Sequence, residues 1–128
     1  MKLNRFDHVN VRTANVEAMV EWYTRVLGLH SGKRPPFSFP GAWLYLGDHP
    51  CVHLVGVAKA QEGREPRLEH FAFRATGLKE FEDRLTREGI RYQRGVVPGF
   101  GIIQLNVWDP DGNHIHVDFA PEEEAATA

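Results

Sequence analysis

The sequence predicts an α+β fold made of two similar halves, and three observations predict it. The segment Phe6-Asp7-His8-Val9-Asn10-Val11-Arg12-Thr13 matches Leu68-Glu69-His70-Phe71-Ala72-Phe73-Arg74-Ala75 at an offset of 62, so that His8 falls on His70 and Arg12 on Arg74. Each copy is followed by apolar residues at helical spacing that stop at a glycine. Each half then closes on a short alternating segment, with Val52-His53-Leu54-Val55 matching Ile115-His116-Val117-Asp118 at an offset of 63.

Taken in order, the first strand carries Val9 and Val11 on one face and His8, Asn10 and Arg12 on the other, because side chains alternate along extended backbone. Val16, Met19, Val20, Tyr23, Val26 and Leu27 form the apolar stripe of a helix. Asn15 is placed to cap its start, Glu17 suits the first turn, and Gly28 suits the left-handed position past its end. Ser31–Trp43 holds three prolines and two glycines and reads as an irregular loop with an aromatic character from Phe37, Phe39 and Trp43. Val52 and Leu54 then oppose Cys51, His53 and Val55. Ala58–Arg67 is polar and reads as the linker between halves.

In the second half Phe71 and Phe73 oppose His70, Ala72 and Arg74, and Leu78, Phe81 and Leu85 repeat the helical stripe before Gly89. Tyr92–Gly101 reads as a Gly/Pro loop with Phe100 at its tip. Gln104 alternates with Ile103 and Leu105. Asp109–Asn113 has the composition of a tight turn in which Gly112 or Asn113 takes positive φ. Ile115, Val117 and Phe119 oppose His114, His116 and Asp118. The expectation is one domain over 1–128, with module one at about 4–58, module two at about 67–120, and an acidic, Ala-rich tail over 121–128 that frays.

Composition narrows the function. At 128 residues the chain is long enough for one core without staples. Its 15 Lys and Arg against 17 Asp and Glu leave a formal charge of −2, which provides no electrostatic case for nucleic acid or a membrane surface. A single cysteine, Cys51, excludes an internal disulfide framework and fits a reducing compartment. No apolar run approaches the roughly 18 residues of a membrane span, and the first residues lead straight into strand pattern, so the expected location is cytoplasmic.

The polar faces of four strands carry histidine: His8, His53, His70 and His116. A histidine taken alone is more often a solvated residue than a ligand, but four related by a repeat on one kind of face point to a metal. Imidazole suits zinc, nickel, iron(II), cobalt and copper and does not suit calcium or magnesium. His114 shares a face with His116 and is a substrate-contact candidate, whereas His30 and His49 sit in loop context and read as solvated. Asp118 shares the face of His116, where it either orients that ring from behind or pairs with an arginine. Arg12 and Arg74 either hold a substrate carboxylate or form an ion pair between modules. Phe37, Phe39, Trp43 and Phe100 either line an apolar mouth or pack elsewhere, and Gln104 is a weaker pocket candidate. Cys51 shares the histidine face without any neighbour that marks a nucleophile. Gly95, Gly99 and Gly101 lack the Lys-Ser/Thr of a phosphate loop.

The phrases FDHVNVRTANVEAMVEWYTRVLGL and DPDGNHIHVDF resemble the vicinal oxygen chelate superfamily, which includes glyoxalase I, bleomycin-resistance proteins and extradiol dioxygenases. The resemblance covers residues 5 to 119. It implies two βαβββ modules forming a curved eight-stranded mixed sheet, with helices on the convex face and a divalent transition metal (zinc, nickel, iron(II), cobalt or manganese) on the concave one. It also implies a homodimer acting on a small molecule. The family's ligand positions fall on His8, His53, His70 and His116. This chain departs from the family at His116, where glutamate is usual, and at His53, where glutamate or glutamine is common.

Three functions follow from the resemblance. A lyase or isomerase acting on a small chelating oxygenated substrate would need His116 or His53 as its base, and a metal-bound imidazole cannot be that base. An extradiol-type dioxygenase would use non-haem iron(II), with histidine in place of the carboxylate. A non-catalytic binder resembling bleomycin-resistance proteins would leave the histidines without a role.

Overall fold

Asn15 opens the first helix as its composition predicts: its side-chain oxygen accepts from the Ala18 amide at 3.2 Å, and Gly28 closes the helix at φ 75°. The structure is a computed structural model that describes residues 1–2, 4–63 and 66–126. It divides into two compact units, Met1–Gly63 and Arg64–Ala128.

The first unit runs β1 (Val9–Thr13), α1 (Val16–Leu27), β2 (His30–Gly32), β3 (Gly41–Leu46) and β4 (His49–Gly56). The second runs β5 (His70–Arg74), α2 (Leu78–Arg87), β6 (Gln93–Val96), β7 (Ile103–Trp108), β8 (His114–Phe119) and α3 (Glu122–Ala126). Each is a βαβββ module with its own four-stranded mixed sheet, in the orders β1-β4-β3-β2 and β5-β8-β7-β6. In each sheet the first strand lies parallel to the last, and the remaining strands add antiparallel. Parallel neighbours need a crossover, which the helix and the hairpin strands provide.

The apolar face of each sheet holds the core. In module one Met19, Trp22, Tyr23 and Val26 of α1 are buried, as are Ala42, Leu44, Val52 and Leu54 of β3 and β4, and α1 lies across β2, β3 and β4. Gly41 is required where β3 meets β4, because a Cβ there would run into the Leu54 carbonyl oxygen. In module two Leu78, Phe81 and Leu85 of α2 are buried, with the Phe81 and Phe119 ring centres 6.2 Å apart. Ile103, Leu105, Val107, Ile115 and Val117 complete that core.

Three segments differ from the sequence reading. The loop expected over Ser31–Trp43 is shorter, because its ends pair as β2 and β3. The loop expected over Tyr92–Gly101 contains β6. Both β2 and β6 are edge strands of three and four residues with few or no buried positions, so they carry no apolar alternation to read. Of the tail expected to fray over 121–128, Glu122–Ala126 form α3 instead, residues 127 and 128 lie outside the described residues, and Glu123 Oε1 accepts from the amides of Gly77 and Leu78 at 2.8 and 2.9 Å. Gly77 opens α2 without any side chain of its own, so this carboxylate from a later segment supplies the missing cap.

Burial ranks the core positions. Leu105 is fully buried, whereas Phe71, on the core face of β5, is only partly so. Leu105→Ala is expected to cost about 2–5 kcal/mol, and Phe71→Ala less than a fully buried phenylalanine would. Denaturant unfolding of the two variants checks the order; a larger loss at Phe71 would contradict the burial.

Candidate metal centre

The register of each parallel pair decides which histidines meet. In module one Asn10 lies opposite His53, which brings His8, one residue before β1, onto the His53 ring. The two imidazoles stack with centres 3.8 Å apart and planes tilted by 12°. Trp43, the partner of His53 on β3, stacks on its other face at 4.0 Å and 10°. His53 is thus the middle layer of three rings.

Each ring is tied at one nitrogen. His8 Nδ1 lies 2.6 Å from Asp7 Oδ2, and His53 Nε2 lies 3.1 Å from the Pro50 carbonyl oxygen. Burial of His53, with His8 beside it, pushes its pKa down. The hydrogen bond with His8 holds the Asp7 carboxyl below its usual range. His49, expected to be merely solvated, is partly buried: its Nε2 is 2.6 Å from the Asp7 carbonyl oxygen, and its Nδ1 accepts from Arg5 at 3.1 Å.

The aromatic loop reaches this stack. Phe37 stacks on Phe39 at 4.8 Å and lies 6.5 Å from Trp43. The Arg34 guanidinium sits over both phenyl rings at 5.0 and 5.2 Å and donates to the Phe39 carbonyl at 2.9 Å. Cys51 is a free, partly buried thiol whose pKa burial pushes up, the opposite of what activates a nucleophile.

Module two repeats the pairing with Ala72 opposite His116 and His70 opposite His114. The His70 and His116 ring centres are 4.3 Å apart with planes at 45°, and His114 lies 5.3 Å from His70. His116 Nδ1 is 2.7 Å from Asp118 Oδ1, so Asp118 is the orienting carboxylate of that ring rather than the partner of an arginine. His70 Nδ1 bonds the Glu69 carboxylate. Asp109 Oδ1 accepts from the amides of Asp111 and Asn113 at 3.0 and 2.9 Å, with Gly112 at φ 86°, and this turn delivers the chain into β8.

The remaining candidates are more loosely held. Arg12 and Arg74 are exposed, and among the described residues neither has an ion-pair partner. Arg74 and Gln104 both lie opposite Asp118 in the ladders. Phe100 is 74% exposed and makes no ring contact among the described residues. Asp7 and Glu69 were not singled out from sequence, although the repeat marks them: each immediately precedes a first-strand histidine.

Within each module the donor chemistry suits a transition ion: one nitrogen of each paired ring is anchored on an oxygen acceptor, which fixes the ring and leaves its other nitrogen for a ligand role, while in module one the parallel stack keeps His8 and His53 from aiming at one point.

Residues 5–117 match the family model of the Glyoxalase/Bleomycin resistance protein/Dioxygenase superfamily, and the chain belongs to that superfamily. It is 30% identical over 125 residues to Glyoxylase I 4 of Arabidopsis thaliana, covering 91% of this chain and 71% of that protein. It is likewise 30% identical over 119 residues to the manganese-dependent 2,3-dihydroxybiphenyl 1,2-dioxygenase of Geobacillus genomosp. 3, covering 86% of this chain but only 37% of the dioxygenase. A crystal structure of a glyoxalase family protein from Bacillus anthracis shares the fold with a TM-score of 0.78 at 22% identity, covering 94% of this chain and 98% of that one. Among the described residues no helix is long and apolar enough to cross a membrane.

The layered stack makes a prediction for the metal-free protein. Trp43→Ala uncovers one face of His53 and relieves the burial that disfavours its charged form. Its pKa is expected to rise toward the ordinary histidine value. An NMR pH titration of the His53 ring checks this; an unchanged midpoint would show that Trp43 does not set the environment of the ring.

Proposed function

We propose that the protein is a metal-dependent enzyme of the vicinal oxygen chelate type, with lyase or isomerase chemistry on a small chelating oxygenated substrate. The observation that carries this reading is the pairing of histidines within each module, each ring anchored at one nitrogen. His8, His70 and His116 would hold a divalent transition ion: zinc, nickel, iron(II) or cobalt by the preference of imidazole, with manganese as the further candidate that the family resemblance supplies. Bound there, such an ion would supply positive charge to stabilise an enolate-like oxygen on the substrate.

Stacking divides the labour among the rings. Two imidazoles whose planes are nearly parallel and almost 4 Å apart do not direct their in-plane lone pairs at one point. His53, stacked on His8, therefore suits the proton-moving role, and His116 is the alternative base if it leaves the metal. His53 keeps its Nδ1 for that proton while Pro50 accepts at Nε2. Arg12 and Arg74 offer guanidinium groups to an anionic substrate. Phe37, Phe39, Trp43 and Phe100 give an apolar lining, with Gln104 as a hydrogen-bonding group and Asp118 behind His116.

The dioxygenase reading rests on the similarity to the manganese-dependent enzyme, of which this chain spans little more than a third. Metal analysis of purified protein separates the readings. Nickel or zinc, together with solvent-deuterium exchange next to a substrate carbonyl, supports the isomerase. Oxygen-sensitive iron(II) or manganese, with oxygen uptake on a catechol, supports the dioxygenase. Absence of metal supports a binding protein. His70→Ala is expected to lose the metal with little change in thermal midpoint, because the ring lies off the core; full metal occupancy in that variant would overturn the reading. We also propose a homodimer, for which light scattering should give twice the 14.6 kDa chain mass; a monomer at micromolar concentration would refute it.

A further inference from the structure

We propose that Arg34, with Phe37 and Phe39, forms a binding site in module one for the carboxylate of a planar aromatic acid, and that this group is the distal end of the substrate. The inference deepens the enzyme reading by naming a substrate class, and it rests on that reading only for the fate of the molecule's other end, at His53. The segment that carries the site holds positive charge alone. No Asp or Glu occurs between Glu21 and Asp48, and Lys33 and Arg34 lie inside that stretch of a chain whose formal charge is −2. Among the described residues Arg34 has no carboxylate partner, and its side chain makes a single hydrogen bond.

The placement of the guanidinium leaves its charge unmatched. Nη2 donates to the Phe39 carbonyl oxygen at 2.9 Å, and Nε is enclosed without an acceptor. Nη1 is not among the enclosed atoms, so it reaches the surface. A guanidinium carries five N–H donors and a permanent charge, and here most of the donors and all of the charge have no counterpart. The two phenyl rings hold the group in place. Its central carbon lies 5.0 and 5.2 Å from the ring centres of Phe37 and Phe39, which are themselves 4.8 Å apart at 15°. These contacts position the cation but do not neutralise it. A ligand carboxylate along the Nη1 and Nη2 edge does both.

The loop takes this shape without a ligand. Pro35, Pro36 and Pro40 fix φ along it. The Tyr45 hydroxyl donates to the Lys33 carbonyl at its start, Phe37 N donates to the Pro35 carbonyl at 2.7 Å, and Gly56 N donates to the Pro40 carbonyl at 2.8 Å at its end. Gly41 leaves the space that the guanidinium uses, since a Cβ there would stand 2.9 Å from Nη2. A site ordered in advance loses little affinity to ordering. Phe37 and Phe39 remain 44% and 41% exposed, and they offer flat apolar surface to an aryl ring beside the cation that takes its carboxylate. From Phe37 the ring contacts continue to Trp43, with centres 6.5 Å apart, and from Trp43 to His53 at 4.0 Å. An acid anchored at Arg34 thus lies along an aromatic surface that ends at the ring assigned to move the proton.

The probes are 2-naphthoate and 2-naphthamide, which share a shape and differ in charge. Each is titrated into chelator-treated protein, with the indole N–H signal of Trp43 followed by NMR. Wild type is expected to bind the acid roughly 10–100-fold more tightly than the amide, the range that a charge-assisted hydrogen-bonded pair supplies. Arg34→Met, which keeps an unbranched apolar stem, should abolish that preference and leave the affinity for the amide nearly unchanged. Arg34→Lys should recover part of it, because it restores the charge without the planar fork. If Arg34 only braces the loop, Arg34→Met will weaken both probes alike or neither, and either result would overturn the proposal. Equal affinities in wild type would also overturn it, as would a preference that survives Arg34→Met and disappears in Arg12→Met. Should Arg34→Met fail to fold, Arg34→Lys still decides, since a preference equal to that of wild type would refute the role of the fork. The titrations use metal-free protein, so failure of the metal-enzyme reading leaves them unchanged, and failure of the anion site leaves the metal content of wild type unchanged.

Discussion

Everything at the candidate centre depends on one ladder in each module, the parallel pairing of its first strand with its last. Asn10 opposite His53 and Ala72 opposite His116 are the same register in the two halves, and they determine which rings touch. Side chains alternate along a strand, so a slip of one residue would send every histidine of that strand into the core and every valine out. The register is held by burial: Val52 and Leu54 in β4, and Ile115 and Val117 in β8, have only one face on which their apolar side chains leave water. The hydrophobic core and the polar site are therefore two readings of a single alignment.

The same frame leads to different local chemistry. Module one closes its histidine pair into a stack capped by Trp43, with Asp7 bonding His8 and Arg5 bonding His49 nearby. Module two leaves its rings tilted to one another and surrounds them with carboxylates, Glu69 on one side and Asp118 on the other. The difference traces to a few substitutions within the repeat. Cys51 stands where the second half has His114, and Val55 stands where it has Asp118. A duplicated backbone thus carries one half with a parallel, tryptophan-covered pair of imidazoles and another with tilted imidazoles flanked by carboxylates.

Much of this was legible in the sequence, and the parts that were not share a cause. The repeat located both modules, the alternation identified the histidine faces, and Asn15, Gly28 and Gly112 sit where their backbone preferences placed them. Strands β2 and β6 were missed because edge strands exposed on most positions carry no periodic signal. The roles of Glu69 and Pro50 were missed because each depends on a neighbour from another strand or on a main-chain oxygen. Such partners follow from tertiary register, not from local pattern. His49 was misjudged for the same reason: its surroundings are formed by Arg5 and Asp7, more than forty positions away.

The cap on α2 has a consequence for how this module is delimited. A boundary drawn at the last sheet residue, Phe119, looks natural, since the ladder ends there. Yet Glu123, four positions further on, holds the two amides at the mouth of a helix that starts at Leu78. Excising the module at the sheet would leave those amides to water and detach the helix from the segment that pins it. The smallest autonomous version of the second half therefore includes α3, and a fusion or tag joined directly after the sheet would interrupt a contact that spans forty-five residues of chain.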